Sequence, residues 1–441
     1  MKGLLRVQLA ILLLISTAWA RVIYGGLIVD WGTHHLGKSD VRILPKGIWS
    51  IINNAASNFY GNVKVERDGG LYISAVSPRV VLHATLMDHF HYFVNNGVVS
   101  FNAIRGAPGY LFKIIGNKFE NNGDLFFSAS GKASVVSGIM SRDWRNNGYI
   151  QVYQAMKSHS YTYLGYPGKT ILNNGQVCFT NQNFKQRSSI LGRGCFTAQG
   201  KSSFYFMNTN LKISEDQIFY LADGETSIMA DGSIHHPQTF HVRGFGTING
   251  VANKIGLTSG LYHKVHGRPP FTYDAKRGVL TLYHGLYSQR FEIGTGYDYR
   301  RFRIVSDRCW GLPWVASGAI QYNGPPPHPG MPPQCKPCKT IPGIPGIDKP
   351  PTTSYPIETG PETSFPGPTE EPTDEPTDGS TLAPTDEPTL SPTDESTSVP
   401  ENTTTEPITT ENPPHIKTVT VVITTTTYST TYTTETDYVT Y

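Results

Sequence analysis

Long apolar runs are missing from this chain after its first twenty residues. No later stretch approaches the roughly 18 apolar residues a membrane helix needs, so the reading contains no transmembrane segment. Acidic residues are scarce where the chain is rich in aromatics. From residue 21 to 339 there are 17 Asp and Glu against 33 Lys and Arg, a net +16 that the whole-chain value of +3 conceals. So few carboxylates argue against a hydrolase or lyase, which needs a carboxylate pair or a calcium cluster beside a base. Helical periodicity is nearly absent, and Gly244-Phe245-Gly246 opens no helix, which removes the usual nucleotide fingerprint. Cysteines number only five. The C-terminus, Thr436 to Tyr441, lacks the hydrophobic tail of a glycosylphosphatidylinositol signal, so the reading is of a truncated or released form.

What is present begins with an address. Lys2 and Arg6 precede an apolar run from Leu9 to Ile15 and the small-x-small triplet Ala18-Trp19-Ala20. This is a secretory signal peptide over residues 1–20, and the mature chain is exported into an oxidising route. Cys178 and Cys195, 17 residues apart and each followed by Phe, are expected to pair. Cys309, Cys335 and Cys338 form an odd set, in which Cys309 pairs with Cys335 or Cys338 and the other is left free or joins a second chain. Cys335-Lys-Pro-Cys338 resembles a redox motif or half a zinc site, but it sits in Pro-rich loop with no second pair, and neither reading is adopted.

The strongest internal signal is a repeat. Asp68-Gly69-Gly70, Asn95-Asn96-Gly97, Asn121-Asn122-Gly123, Asn146-Asn147-Gly148 and Asn173-Asn174-Gly175 each open a short apolar strand. Weaker members follow at Gly200 and Gly224, with glycine spacings of 27, 26, 25, 27, 25 and 24. A hairpin meander turns every 8–12 residues or so. A period near 25 instead fits one turn of a β-solenoid, with three short strands and tight corners in which Gly and Asn tolerate positive φ. About seven rungs are expected, with Asn side chains stacking between them as a further stabiliser. Beyond Gly232 the period fades into alternating strands, which read as antiparallel β, a small sandwich closing the solenoid.

The fold class is therefore all-β. The expected domains are a β-solenoid over 21–238, a sandwich-like cap over 239–325, a Pro/Thr/Ser/Glu-rich stalk over 326–417 and a β-prone segment over 418–441. Pro-Thr-Asp-Glu recurs at 372–375, 384–387 and 392–395 in a disordered tail with almost nothing to bury. Asn402-Thr403-Thr404 is an N-glycosylation triplet.

Several segments in order carry a resemblance. They are Ile48-Trp49-Ser50-Ile51-Ile52-Asn53-Asn54, the Asn-Asn-Gly openings, Asn174-Gly175-Gln176-Val177-Cys178 with Gly192-Arg193-Gly194-Cys195, Gln238 to Gly246, Asn253-Lys254-Ile255-Gly256-Leu257, and Phe291 to Asp298. Over roughly 21–325 the chain resembles the N-terminal domain of the hyphally regulated cell wall proteins of yeasts, the Hyr/Iff adhesin-like family. The resemblance implies a right-handed parallel β-helix followed by a β-sandwich, displayed on the wall above a glycosylated stalk.

The functional expectation is a secreted cell-surface protein, adhesin-like and not an enzyme, with no cofactor and no metal. Its expected partners are host-cell or abiotic surfaces, anionic glycans drawn by the basic head, and cell-wall polysaccharide; nucleic acid is not among them. The alternatives are a structural wall glycoprotein without a dedicated ligand and a polysaccharide-active β-helix enzyme. For the enzyme the candidate acids are Asp143 beside Arg142, Glu215, Asp216, Asp223, Glu225 and Asp231, all read as corner and cap residues. His34-His35, His83, His89, His91 and His235-His236 are read as surface or packed histidines rather than ligands. Tyr297-Asp298-Tyr299-Arg300-Arg301-Phe302-Arg303 is read either as a sugar-stacking and anion-binding patch or as a strand and its edge.

Overall fold

A computed structural model describes residues 20–32, 37–86, 89–235, 237–307 and 313–348. The signal peptide, Cys309, Asn402 and the segments beyond residue 348 lie outside the described residues.

Within them the chain forms thirty-three strands and one three-residue 3₁₀ helix. Two long sheets are built by parallel pairing of successive turns. The first wall holds the strands that follow the Asn-Asn-Gly corners, ten parallel rungs running from Gly26–Trp31 to Thr239–Arg243. The second wall carries the other two strand positions of each turn, which fuse into single long strands at Tyr110–Asn121 and Val136–Asn146. The solenoid thus has about ten turns, more than the seven the glycines mark. Two turns precede Gly70, where Gly26–Trp31 pairs with Gly47–Ile52 and that strand with Gly70–Ser74.

Alternation along each rung sends one set of side chains inward. Val99 and Phe101, Leu125 and Phe127, Val177 and Phe179 are fully buried between the walls. Because equivalent positions stack, aromatic rings form columns. Phe93, Phe119 and Trp144 follow one another at 5.5 and 5.0 Å between ring centres. Phe196 and Phe219, opposite each other on paired rungs of the first wall, stack at 5.5 Å, and Phe184 of the second wall stacks on Phe196 across the core, also at 5.5 Å.

The corners explain the repeat. Asn95, Asn121, Asn146 and Asn173 are buried, and each side-chain amide donates to the next carbonyl oxygen at 2.8 Å. Asn173 hands the chain on to Gln217 at 3.1 Å. The second Asn of each corner forms an outer, solvent-facing ladder in the opposite sense, Asn122 donating to Asn96 and Asn147 to Asn122, both at 2.9 Å. The glycine is required by contact rather than by conformation. None of Gly97, Gly123, Gly148 and Gly175 has positive φ. A Cβ on Gly123 would lie 2.1 Å from the carbonyl oxygen of Gly97, and one on Gly148 would lie 2.2 Å from that of Gly123. Positive φ, anticipated for these corners, occurs in the series at Asp68, φ 61°, and at the weaker member Gly200, φ 61°.

The glycine stack continues at Gly194, not at Gly200, since a Cβ on Gly194 would sit 2.3 Å from the Gly175 carbonyl. That turn is short, so the first-wall strand is Cys195–Gln199. The segments after Gly200 and Gly224, read as further members of the series, form Ser203–Phe206 and Ser227–Ala230 in the second wall. Toward the end the solenoid continues into the region assigned to a cap. Thr239–Arg243 and Lys254–Leu257 are still parallel rungs. Tyr287–Glu292 adds one more parallel pairing, to Thr239–Arg243, before antiparallel strands take over. It pairs antiparallel with Val279–Gly285, while Val315–Tyr322 pairs antiparallel with Lys254–Leu257 and Phe302–Asp307.

The cysteines are paired differently from the expectation. Cys178 bonds Cys338 and Cys195 bonds Cys335. Cys178 and Cys195 do occupy successive rungs, but register sets Cys195 opposite Gln176 and Cys178 opposite Thr197. Two residues along the strand and one strand across is roughly 8 Å between Cα atoms, beyond the reach of a disulfide. Both thiols instead face outward from the first wall, where the Cys335-Lys-Pro-Cys338 segment crosses them.

That segment is a strap, not the start of a stalk. It lies over the wall and descends toward the N-terminal rungs. The Lys336 N–H donates to Gln176 Oε1 at 3.0 Å, and the Lys339 ammonium meets both Asp124 oxygens at 2.6 and 2.7 Å. Ile341 packs on Phe126, Tyr149 and Cys178. Asp348 pairs with Arg105 at 3.0 Å, and Gly346 lies against Val29 on the first rung. From the eighth rung to the first is roughly 34 Å at the parallel-ladder spacing. Eleven residues at a polyproline rise of about 3.1 Å cover the same span, so the Pro-rich composition suits the task.

Two measurements test this construction. Asn146→Ala removes the side-chain acceptor of Asn121 and the side-chain donor to Asn173 in the interior and is expected to cost about 2–4 kcal/mol in denaturant unfolding, against under about 1 kcal/mol for Asn147→Ala on the outer ladder. Equal effects would show that the buried ladder carries no special weight. Non-reducing peptide mapping is expected to yield 178–338 and 195–335 cross-links, and a 178–195 peptide would contradict the strap. Removing either bond by paired Cys→Ser substitution should destabilise the head by about 2–5 kcal/mol.

Candidate functional site

The acids singled out from the sequence are dispersed. Asp143 is exposed and pairs with Arg145 at 3.0 Å, not with Arg142. Asp223 accepts the Gly200 and Glu225 N–H groups and so holds a corner together. Glu225 faces Lys201 at 3.8 Å on the surface. Glu215 and Asp216 are exposed at a bend. Glu215 lines a surface cleft of about 660 Å³ with His241, Asp274, Arg277 and Arg290. Asp274 is engaged by its own turn, accepting the Lys276 and Arg277 N–H groups at 3.0 and 3.2 Å.

The histidines do not converge. Among the described residues no group of three or more His, Cys, Asp or Glu is placed to hold a metal. His89 sits in a turn, hydrogen-bonded through Nδ1 to the Tyr166 hydroxyl, and His91 lies just ahead of the strand Tyr92–Asn95 rather than on it. His34, His35 and His236 lie outside the described residues. In the Tyr297 to Arg303 segment, Tyr297 is buried and its hydroxyl donates to the Phe245 carbonyl at 2.7 Å. Tyr299–Arg301 is the 3₁₀ turn, and Phe302 begins a strand. The segment is structural on its inner side and basic on its outer side.

Asp231 is different. Strands Ser203–Phe206, Ser227–Ala230 and Lys254–Leu257 are consecutive rungs in register, with Phe206 opposite Ala230 and Ala230 opposite Leu257. The residues that follow them, Met207, Asp231 and Thr258, therefore stack at one corner. The tip of the Val279–Glu292 hairpin, with His284 opposite Tyr287, closes the other side. Reciprocal backbone bonds between Ser233 and Ser288, 2.8 and 2.9 Å, hold the tip against the corner. The result is a cleft of about 330 Å³ that also takes in Asn208 and Ser259.

The cleft's electrostatics are specific. The Asp231 carboxylate accepts the Thr258 hydroxyl and has no cationic partner among the described residues. Burial pushes its pKa above the ordinary carboxylate value, an effect the Thr258 hydrogen bond only partly offsets. His284 Nδ1 lies 2.6 Å from the Gly260 carbonyl oxygen. A carbonyl only accepts, so Nδ1 carries a proton, and Nε2 is an acceptor whenever the ring holds that one proton alone. Reading along the chain flagged Asp231 only as a lone acid. Its companions come from segments up to 80 residues apart, and nothing in their local sequence marks them.

A raised carboxylate pKa means that the folded state prefers the protonated form. Ionised Asp231 thus lowers stability at neutral pH, and stability is regained as pH falls through the raised value toward 3.8. Asp231→Asn keeps an acceptor for Thr258 and is expected to melt above the parent at about pH 7, with the difference shrinking by about pH 4. A variant less stable than the parent at both values would contradict this account.

Comparison with known proteins agrees with the architecture. Residues 11–345 match the family model described as hyphally regulated cell wall protein N-terminal. Cell wall protein IFF9 of Candida albicans is 40% identical over 319 residues, which are 72% of this chain and 33% of that protein. Hyphally regulated cell wall protein 3 of the same organism is 38% identical over 344 residues, 78% of this chain and 27% of that protein. The chain thus spans about a third or less of the length of these relatives. Among the described residues no helix is long and apolar enough to cross a membrane. A solenoid with Asn-laddered corners and a match over most of its length places this chain in the hyphally regulated cell wall protein family, as a bearer of the family's N-terminal module.

Proposed function

We propose that this chain is a non-enzymatic, adhesin-like surface head, a right-handed β-helix closed by a sandwich-like β cap and carried on a glycosylated Pro/Thr-rich stalk. The observation that supports this reading most is the strap. A chain that ended at the last strand, Val315–Tyr322, would leave the head at its C-terminal end. The strap instead carries it back across the first wall to Gly346 and Asp348, beside Val29 and Arg105. The last described residues thus lie beside the N-terminal rungs rather than at the last strand. Two disulfides anchor this reversal at the seventh and eighth rungs, so a pull on the stalk is delivered covalently to the C-terminal half. That arrangement suits a head that must hold a contact under load.

The partner class follows from charge. A head of net +16 attracts anionic glycans and charged host or abiotic surfaces, and such contacts weaken with salt. An acid–base enzyme finds less support. Asp231 has no second carboxylate in its cleft, and Asp274 is committed to a turn.

The test is retention of the purified protein on heparin, phosphomannan and epithelial cells. Binding is expected to fall at least tenfold between about 0.05 and about 0.5 M salt. Failure to bind any of these at low salt would overturn the adhesin reading and favour a structural wall glycoprotein without a dedicated ligand.

A further inference from the structure

We propose that the corner cleft between Asp231 and Tyr287 is a binding site for a single neutral pyranose ring. This deepens the adhesin reading by naming a glycan class and a place for it. It is independent of the basic surface, which would draw anions by charge alone.

Three observations carry the assignment. The first is construction. The cleft is bounded by stacked rungs on one side and a backbone-tied hairpin on the other, so its groups are preorganised by ladder hydrogen bonds. The second is its polar equipment. Asp231 has one strong contact, to Thr258, and no further donor among the described residues satisfies it. Asn208 uses its Oδ1 on the Asn210 N–H at 2.9 Å, which leaves its amide hydrogens for a ligand. Ser259 adds a hydroxyl and His284 an acceptor nitrogen. A carboxylate that accepts paired hydroxyls, an amide that donates and an imidazole that accepts match the alternating hydroxyls of a sugar ring. The third is an exposed aromatic face. Tyr287 is 45% exposed at the rim, where a pyranose can lay its C–H face on the ring.

The same observations exclude other classes. No Lys or Arg lines this cleft, although the head as a whole is strongly basic. A sulfate or uronate would be placed against the Asp231 carboxylate. A lipid or aromatic ligand would bury Asp231, Asn208 and Ser259 without partners, which is costly. The volume of about 330 Å³ stands at the small end of ligand sites and suits one ring with its neighbours in solvent. The stability cost of ionised Asp231 has the same sense, since a hydroxyl pair would supply the donors the fold withholds.

The test is saturation-transfer NMR on the full chain with methyl α-mannopyranoside, methyl β-glucopyranoside and methyl glucuronide, at low salt and at about 0.5 M salt. Transfer is expected to at least one neutral pyranoside, little changed by salt, and not to the glucuronide. Which pyranoside responds separates a mannan from a glucan source. Asp231→Ala and Tyr287→Ala should each weaken binding at least tenfold, about 1.4 kcal/mol. Tyr287 is exposed, so its variant keeps the test informative if Asp231→Ala fails to fold, which its melting curve reports. No transfer to either pyranoside, equal transfer to the glucuronide, or undiminished transfer to folded Tyr287→Ala overturns the proposal. Surface retention by these variants is read in parallel. Retention without pyranose binding removes the cleft and leaves the adhesin reading. Pyranose binding without retention removes the adhesin reading and leaves the cleft.

Discussion

Parallel strands stacked rung on rung bring equivalent residues of successive turns within about 4.8 Å of one another, and every other feature of this head answers to that spacing. A corner that turns inward at such a spacing buries polar backbone and side-chain groups, which must be paired. Asparagine solves this by being its own partner. One amide both donates and accepts, so Asn95, Asn121, Asn146 and Asn173 satisfy each other along the axis. The glycines solve the second half of the problem, because the carbonyl of the rung below occupies the volume of a Cβ. The outer asparagine ladder runs in the opposite sense to the inner one, so the two amide dipole chains oppose each other.

The strap depends on the same spacing. Its prolines remove donors that a sheet neighbour would need and favour an extended chain. A polyproline turn of three residues rises about 9.3 Å, close to the roughly 8 Å that one rung across and two residues along put between Cys178 and Cys195. Cys335 and Cys338, three residues apart, therefore meet thiols on adjacent rungs. A segment too poor in apolar residues to fold alone is held by two covalent bonds, an Asp124–Lys339 ion pair and an Asp348–Arg105 ion pair.

The corner cleft is where local consistency breaks. Glu66 is answered by Lys64 and Arg42 and Glu120 by Lys118, and their pKa values lie below the ordinary range; Asp223, buried without a cation, is pushed above it but keeps the Gly200 and Glu225 N–H groups. Asp231 is desolvated without a cation, and its pKa moves the other way. Such conflicts between a residue and its surroundings concentrate at functional sites. The cleft also shows why it was hidden. Met207, Asp231 and Thr258 meet because rung register aligns the ends of three strands, and register is a property of the stack.

By itself the sequence determined the solenoid. A period near 25 residues, opened by Asn-Asn-Gly and followed by alternating apolar residues, leaves few other ways to bury Phe101, Phe127 and Phe179 together. The resemblance over most of the chain agreed with that period. The reason assigned to the glycines needed the structure, since close approach of two backbones is a contact between turns and has no local signature. The end of the repeat was misread for the same reason. A short turn moved the corner from Gly200 to Gly194, and only pairing reveals which wall a strand joins. Tertiary structure alone decided the disulfides. Spacing made Cys178 and Cys195 neighbours in sequence, while the pleat turned both outward and the register set them too far apart to bond, so they were bridged by a segment 140 to 160 residues away.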